Sequence, residues 1–216
     1  MIVAVVLGVA AGAAQGEPYW FAYEGNDLPE NEGWVRYATN PPAQRWLEDG
    51  SLFIDSRGSV PIVENYTVYF QGGLDPEPGE MFVMRWRLKV HEATPWEDPG
   101  VYVTSDDRYS VVFLFGGDYL LSLYEPSVYL PFKPGLFHDF ELRSDDMRNY
   151  GLYLDSGLAL KGVFFRSSFA ACAGWGDVVS SWSVAQWDYF RFGVVPEPST
   201  WLIVLVALLC VGTRRI

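Results

Sequence analysis

The chain has 216 residues, with 27 Asp and Glu against 15 Lys and Arg and a formal net charge of −12. That balance excludes a nucleic-acid binder built on clustered cations, and the length allows about one domain plus appended segments. Aromatic residues make up 17% of the chain beside 21 Gly and 14 Pro, which suits many short strands joined by tight turns better than a helical bundle.

Residues 1–16 open the chain with an unbroken run of apolar and small residues that ends at a polar break. Ala14 and Gly16 stand at −3 and −1 from Glu17, the small-residue pattern of a signal-peptidase site, so this segment is expected to be a secretory signal peptide. No Lys or Arg precedes the run, leaving the terminal amine as the positive charge. A buried first strand is the other reading, and the Ala-rich composition counts against it.

Residues 17–193 are expected to form an antiparallel β-sandwich. Alternation is clearest in "EMFVMRWRLKVH", where Phe82, Met84, Trp86, Leu88 and Val90 share one face and Arg85, Arg87, Lys89 and His91 the other. Such a strand has one buried and one wet side, as in an antiparallel sheet. "YSVVFLF", "YLLSLYE", "FHDFELR", "YGLYLD" and "WDYFRFG" read the same way. Turn chemistry separates the strands at "EDG" (48–50), "SRGS" (56–59), "DPEPGE" (75–80), "FGGD" (115–118) and "DSG" (155–157). Cys172 is expected to be a free, partly buried thiol, because Cys210 lies in the C-terminal apolar run.

The segment from His138 to Phe165, with its strand–DSG–strand hairpin, and the closing strand Trp187-Asp188-Tyr189-Phe190-Arg191 resemble the last part of concanavalin A-like jelly rolls of the laminin-G or pentraxin-like kind. The likeness covers about the last 60 residues of the domain, and Ser156 interrupts the usual Asp-Gly pair. It implies a jelly-roll sandwich. It also implies calcium as a candidate ion held by loop aspartates, for which Asp106, Asp107 and Asp177 are the candidates.

No catalytic constellation stands out. Retaining glycoside hydrolysis needs two carboxyl groups about 5 Å apart, and no strand here reads Glu-x-Asp-x-x-Glu, the pattern of the glucan hydrolases of this fold. Asp139 and Glu141 share a face and come nearest, with Arg143 beside them; a solvated strand face is the favoured reading. There is no Gly-x-Ser-x-Gly elbow, and His91 and His138 supply little for a triad or a zinc site. Sugars stack their C–H faces on rings beside polar groups, so Arg85, Arg87, Trp96, Tyr102, Trp182 and Trp187 are the candidate glycan-binding residues. For any single ring, a place in the core between two sheets is the favoured reading.

The C-terminus, residues 194–216, combines Pro196-Glu197-Pro198, an apolar run over 201–212 expected to be helical, and Arg214 and Arg215. Proline fixes φ and lacks a donor, so the tripeptide is stiff and non-helical. The run is short for a membrane span of about twenty residues, and arginines beyond it favour a cytoplasmic C-terminus with the domain outside. In this order these parts resemble the PEP-CTERM sorting signal of bacteria that use an exosortase. The resemblance covers the last twenty-odd residues, and the short apolar run departs from it. It implies recognition at Pro196, Glu197 and Pro198 by an exosortase-type enzyme, at least transient membrane anchoring, and delivery to the cell surface or extracellular matrix.

Three functions remain in play: a non-catalytic domain that binds glycan or matrix polymer, a purely structural matrix protein, and a glycan-degrading enzyme. Surface anatomy separates the first two, because a broad apolar patch favours packing and a groove with rings beside polar groups favours sugar.

Overall fold

The computed structural model describes residues 19–38, 42–57, 67–72, 76–94, 99–125, 128–178 and 182–196. In chain order the strands are β1 (Tyr19–Tyr23), β2 (Val35–Ala38), β3 (Gln44–Glu48), β4 (Ser51–Asp55), β5 (Thr67–Gly72), β6 (Glu80–Ala93), β7 (Gly100–Thr104) and β8 (Tyr109–Phe115). They continue with β9 (Tyr119–Ser122), β10 (Tyr129–Pro131), β11 (His138–Ser144), β12 (Asn149–Leu154), β13 (Gly157–Val163), β14 (Phe165–Arg166), β15 (Cys172–Gly176) and β16 (Ser183–Pro196). A single 3₁₀ turn, Pro29–Glu32, is the helical element among the described residues.

Two eight-stranded antiparallel sheets face each other. The first runs β13-β12-β11-β6-β16-β4-β3, with β1 also on β16; the second runs β10-β9-β8-β7-β15-β5-β2, with β14 on β8. The expected all-β sandwich is therefore the observed one. No helix among the described residues is long and apolar enough to cross a membrane. The apolar run 201–212 lies outside the described residues, as do the signal-site residues Ala14, Gly16 and Glu17.

The long strand β6 alternates as its sequence predicts: Phe82, Met84, Trp86, Leu88 and Val90 are buried while Arg85, Arg87, Lys89 and His91 point outward. Two-residue turns set the hairpins. Asp49 (φ 53°) and Gly50 (φ 75°) join β3 to β4, and Asp155 (φ 48°) and Ser156 (φ 69°) join β12 to β13, the left-handed pairs that match strand twist. Ser156 in place of glycine is tolerated at this turn.

Between the sheets lies an aromatic core. Trp175 of the second sheet stacks on Tyr23 and Phe190 of the first at 4.9 and 5.7 Å and touches Trp187 at 5.0 Å. Trp86 stacks on Phe140 at 5.5 Å. Each such ring, removed from water, contributes roughly 2–3 kcal/mol.

One element departs from simple alternation. In β16 the register shifts between Trp187 and Tyr189, so Asp188 sits in a bulge. Without it, inward Phe190 and Phe192 would place Asp188 inward and Trp187 outward. The bulge absorbs one residue and turns Trp187 into the core, where it is fully buried. That overturns Trp187 as a glycan-stacking residue. β16 also runs on through Val194, Val195 and Pro196, paired with Phe82, Met81 and Glu80, three residues past the expected domain edge at 193. A proline is accommodated at a strand end because its missing donor costs least there.

Candidate functional site

The two outer faces differ in kind. On the first sheet, β6 carries its four polar side chains between β11 and β16. Glu141 is gripped by both Arg85 and Arg143, and Arg191 pairs with Glu24. Tyr189 donates its hydroxyl to Asp139 at 2.7 Å. Arg87 donates to Asp188 at 2.9 Å and lies 3.9 Å from Asp139. Asp139 and Glu141 do share the outer face, but their oxygens are engaged by a phenol and two guanidiniums, and they line a groove of about 340 Å³ with Tyr153 and Tyr189. That arrangement is a self-neutralised network rather than an acid–base pair across an empty cleft.

A second hollow, about 490 Å³, opens further along the same face, where the β3–β4 turn, β6, the bulge of β16 and the residue before β11 meet. Phe53, Phe137, Lys89, His91 and Gln186 line it, with Glu48, Asp49 and Ser51 on one rim and the Arg87–Asp188 pair on another. Trp46 stacks on Phe53 at 5.0 Å with rings nearly parallel, and Phe53 stacks on His91 at 5.4 Å. Phe137 lies under two cations, with Arg87 at 5.1 Å and Lys89 at 5.7 Å from its ring centre. His91 Nε2 is 3.3 Å from Gln186 Oε1, and the Trp46 indole donates to Glu48 at 3.0 Å. The hollow thus offers aromatic surface, an ammonium, an amide and two rim carboxylates. Those groups complement a molecule that carries hydroxyls, which donate and accept, and a C–H face.

Gly25 holds this corner together. Its φ is +73°, and a Cβ there would lie 2.2 Å from the Gly50 carbonyl and 2.8 Å from that of Asp188. Only glycine lets the segment after β1 pass so close to both the turn and the bulge.

The outer face of the second sheet is apolar. A cleft of about 520 Å³ crosses it, floored by Val68, Phe70, Tyr102 and Val112 and rimmed by Tyr37, Leu123, Tyr124 and Phe169, with no charged residue in its lining. Tyr37 is 58% exposed, Phe169 49% and Tyr124 46%, so the rim rings face water. Tyr102 lies flat over Gly174, where a Cβ would stand 2.4 Å from its ring. Its hydroxyl is kept protonated by burial and by Cys172 beside it, and burial pushes the Cys172 thiol up in turn. Cys172 is a free, half-buried cysteine, as expected.

The expected site residues are therefore scattered. Arg85 belongs to the neutralised network, Arg87 to the rim of the 490 Å³ hollow and Tyr102 to the opposite cleft; Trp182 is exposed ahead of β16, and Trp96 lies outside the described residues. The three aspartates do not converge. Asp106 and Asp107 are on the β7–β8 turn, where Arg148 pairs with Asp107 at 3.2 Å, whereas Asp177 follows β15 at the other end of the sandwich. Among the described residues no three His, Cys, Asp or Glu side chains gather into a metal-binding group. Of the sorting residues, Pro196 is paired in β16 and Glu197, Pro198, Arg214 and Arg215 lie outside the described residues.

Reading single residues missed Trp46, Phe53 and Phe137. The first two were legible: a two-residue turn at Asp49-Gly50 sets Trp46 opposite Phe53. Phe137 carried no such signal, because it precedes its strand and reaches the hollow by loop geometry.

No family model matches the chain, and no curated protein matches it in sequence. Solved structures match in fold. A carbohydrate esterase of the Shiga toxin-encoding bacteriophage phi24B aligns over 81% of this chain and 97% of its own, with 12% identity and a TM-score of 0.56. A β-1,3-glucanase from Mycobacterium marinum aligns over 82% and 100%, with 12% identity and a TM-score of 0.53. The binding domain of botulinum neurotoxin DC aligns over 82% of this chain and 48% of its own, with 9% identity and a TM-score of 0.53. At such identities the likeness is one of fold: the chain shares its two-sheet, jelly-roll-like sandwich with a carbohydrate esterase, a glucanase and a toxin's binding domain.

Proposed function

We propose that this protein is an exported, surface-sorted, non-catalytic domain that binds a neutral glycan in the hollow between the β3–β4 turn and β6. The observation that carries the reading is the company the rings keep: Phe53, Phe137 and the Trp46–Phe53–His91 stack stand beside Lys89, Gln186, Glu48 and Asp49. A strongly anionic ligand would meet the rim carboxylates of Glu48 and Asp49 and a chain of net charge −12, and a cationic one would meet Lys89, Arg87 being paired with Asp188. A polyol suits both signs at once. Export by way of residues 1–16 and handling of Pro196-Glu197-Pro198 by an exosortase-type enzyme rest on the sequence resemblance and belong to the same proposal.

A second reading has its own support. The uncharged cleft on the opposite face, with Tyr37, Tyr124 and Phe169 exposed at its rim, is the anatomy of a packing surface. A structural matrix protein would use that face against its neighbours.

The test is a retention screen of the purified protein on soluble and insoluble neutral and acidic polysaccharides, run beside its sedimentation profile. Retention on a neutral subset that is lost in Trp46→Ala supports the first reading. No retention, with self-association abolished by Tyr124→Ser, supports the second instead.

A further inference from the structure

The strands of the second sheet alternate like those of the first, but their outward positions carry no charge. Tyr69, Val101, Val103, Phe113 and Trp175 point into the core. On the other side Val35 pairs with Phe70, Phe70 with Gly174, Gly174 with Tyr102 and Tyr102 with Val112, and Leu114 with Leu121 and then Tyr129 continue the row. From β2 to β10, no outward strand position is Asp, Glu, Lys or Arg. The first sheet is the contrast: on β6 and β11 alone, Arg85, Arg87, Lys89, Asp139 and Glu141 face outward. An antiparallel sheet with one face in water normally alternates apolar with polar. In a chain of 27 acidic and 15 basic residues, a seven-strand face without a single charge is the surface of a sheet covered on both sides.

Charge, area and shape indicate what covers it. A protein of net charge −12 repels its own copies wherever carboxylates meet, so a charge-free face is the one it can present to itself. An anionic lipid surface would call for a cationic rim instead. Seven strands about 4.8 Å apart and about five residues long give a footprint of about 30 by 16 Å, so two copies would bury on the order of 1,000 Å², the size a specific interface needs. The cleft runs beside a ridge made by Leu123, Tyr124 and Phe169. Two copies related by a two-fold axis between ridge and cleft would each seat a ridge in the other's cleft. We propose that this face pairs with the same face of a second copy, sheet against sheet, in a closed two-fold dimer. The pairing differs from open-ended packing against matrix neighbours, because an isologous contact uses up the patch on both copies. It has a functional consequence that rests on the glycan reading: the two first sheets lie on the outside, their hollows point away from each other, and one dimer bridges two polymer chains.

Sedimentation equilibrium of the purified full chain tests the pairing. The expected mass is twice the 24.4 kDa of one chain, without larger species. Leu123→Asp and Phe169→Asp each place a carboxylate at an exposed ridge position, which spares the core. Each should raise the dimer dissociation constant about tenfold or more with an unchanged far-ultraviolet spectrum. Trp46→Ala, in the hollow, should leave the dimer intact. Beads coated with a retained polysaccharide should capture the same polymer from solution through the wild-type protein, and not through Leu123→Asp, which still binds the beads. If no form is retained on any polysaccharide, the glycan reading fails while the dimer stands; a dimer that binds without bridging overturns the bridging alone. A monomer at every concentration, open-ended oligomers, or a dimer unaffected by both Asp variants overturns the pairing. Flotation of such a monomer with phosphatidylcholine vesicles, lost in Leu123→Asp, would give the face to lipid. Alkylation of Cys172 that quickens in Trp201→Asp would give it to the chain's own apolar run 201–212.

Discussion

Arg87 on β6 donates to the carboxylate of Asp188 at 2.9 Å, and Asp188 is the residue that the bulge in β16 leaves out of register. The bulge thus performs two tasks: it sends Trp187 into the core and offers Asp188 to Arg87 at the rim of the hollow. Both side chains are partly exposed, so the pair is worth at most about 1 kcal/mol of stability. Arg87→Gln is expected to shift Tm by no more than a few degrees while weakening retention on the bound polysaccharide several-fold. Comparing melting curves with retention constants separates the two effects.

The ring stack makes a sharper test. Trp46 and His91 are exposed, so replacing either with alanine spares the core. Ring contacts of this kind contribute about 0.5–1.5 kcal/mol, and each variant should bind roughly three- to tenfold more weakly with an unchanged far-ultraviolet spectrum. Equal binding by both variants would place the glycan elsewhere.

Gly25→Ala should be far more damaging than its size suggests. The new methyl would overlap the Gly50 carbonyl, and the backbone there is left-handed. Strain at such a position plus a backbone collision predicts a loss of about 3 kcal/mol or more. Chemical denaturation should show it as a lower midpoint, and an unchanged midpoint would mean that the segment after β1 does not pass so close to the turn.

The buried carboxyl of Asp177 makes stability depend on pH. Burial pushes its carboxyl from 3.8 up to about 8. Below pH 4 the group is protonated folded or unfolded, and its full contribution is present. As pH rises from 4 to 8 the unfolded chain ionises first, so stability falls and the loss is complete above 8. Asp177→Asn removes that slope. The difference between wild-type and variant unfolding free energies, measured from pH 4 to 9, should grow in the variant's favour by a few kcal/mol. A flat difference would contradict a buried acid.

Much of the fold could be read from the chain because alternation and turn chemistry are local. β6 needed only its own twelve-residue pattern, and the hairpin at Asp155-Ser156 only its own two. The bulge at Asp188 was not legible, since a strand does not announce where it will take up an extra residue. Trp187 was misplaced for that reason alone. The site suffered more, because both hollows are assembled by residues distant in sequence: Phe53 meets His91 across β16, and Tyr37 and Phe169 line one cleft on the second sheet.

β6 and β16 are each fourteen residues long and match in thirteen register pairs from Ser183 to Pro196. This has a mechanical consequence. A pull entering at Pro196 and leaving through a ligand in the hollow near Lys89 would run along both strands. Their cross-strand hydrogen bonds lie perpendicular to that line and would be loaded together rather than one at a time. Tyr19 pairs with Gly193, so the N-terminal strand leaves from the same end as Pro196. Tugging the two termini apart would instead peel β1 from β16 bond by bond. The same domain would thus be stiff when hauled between Pro196 and a molecule held in the hollow, and weak when pulled between Tyr19 and Pro196.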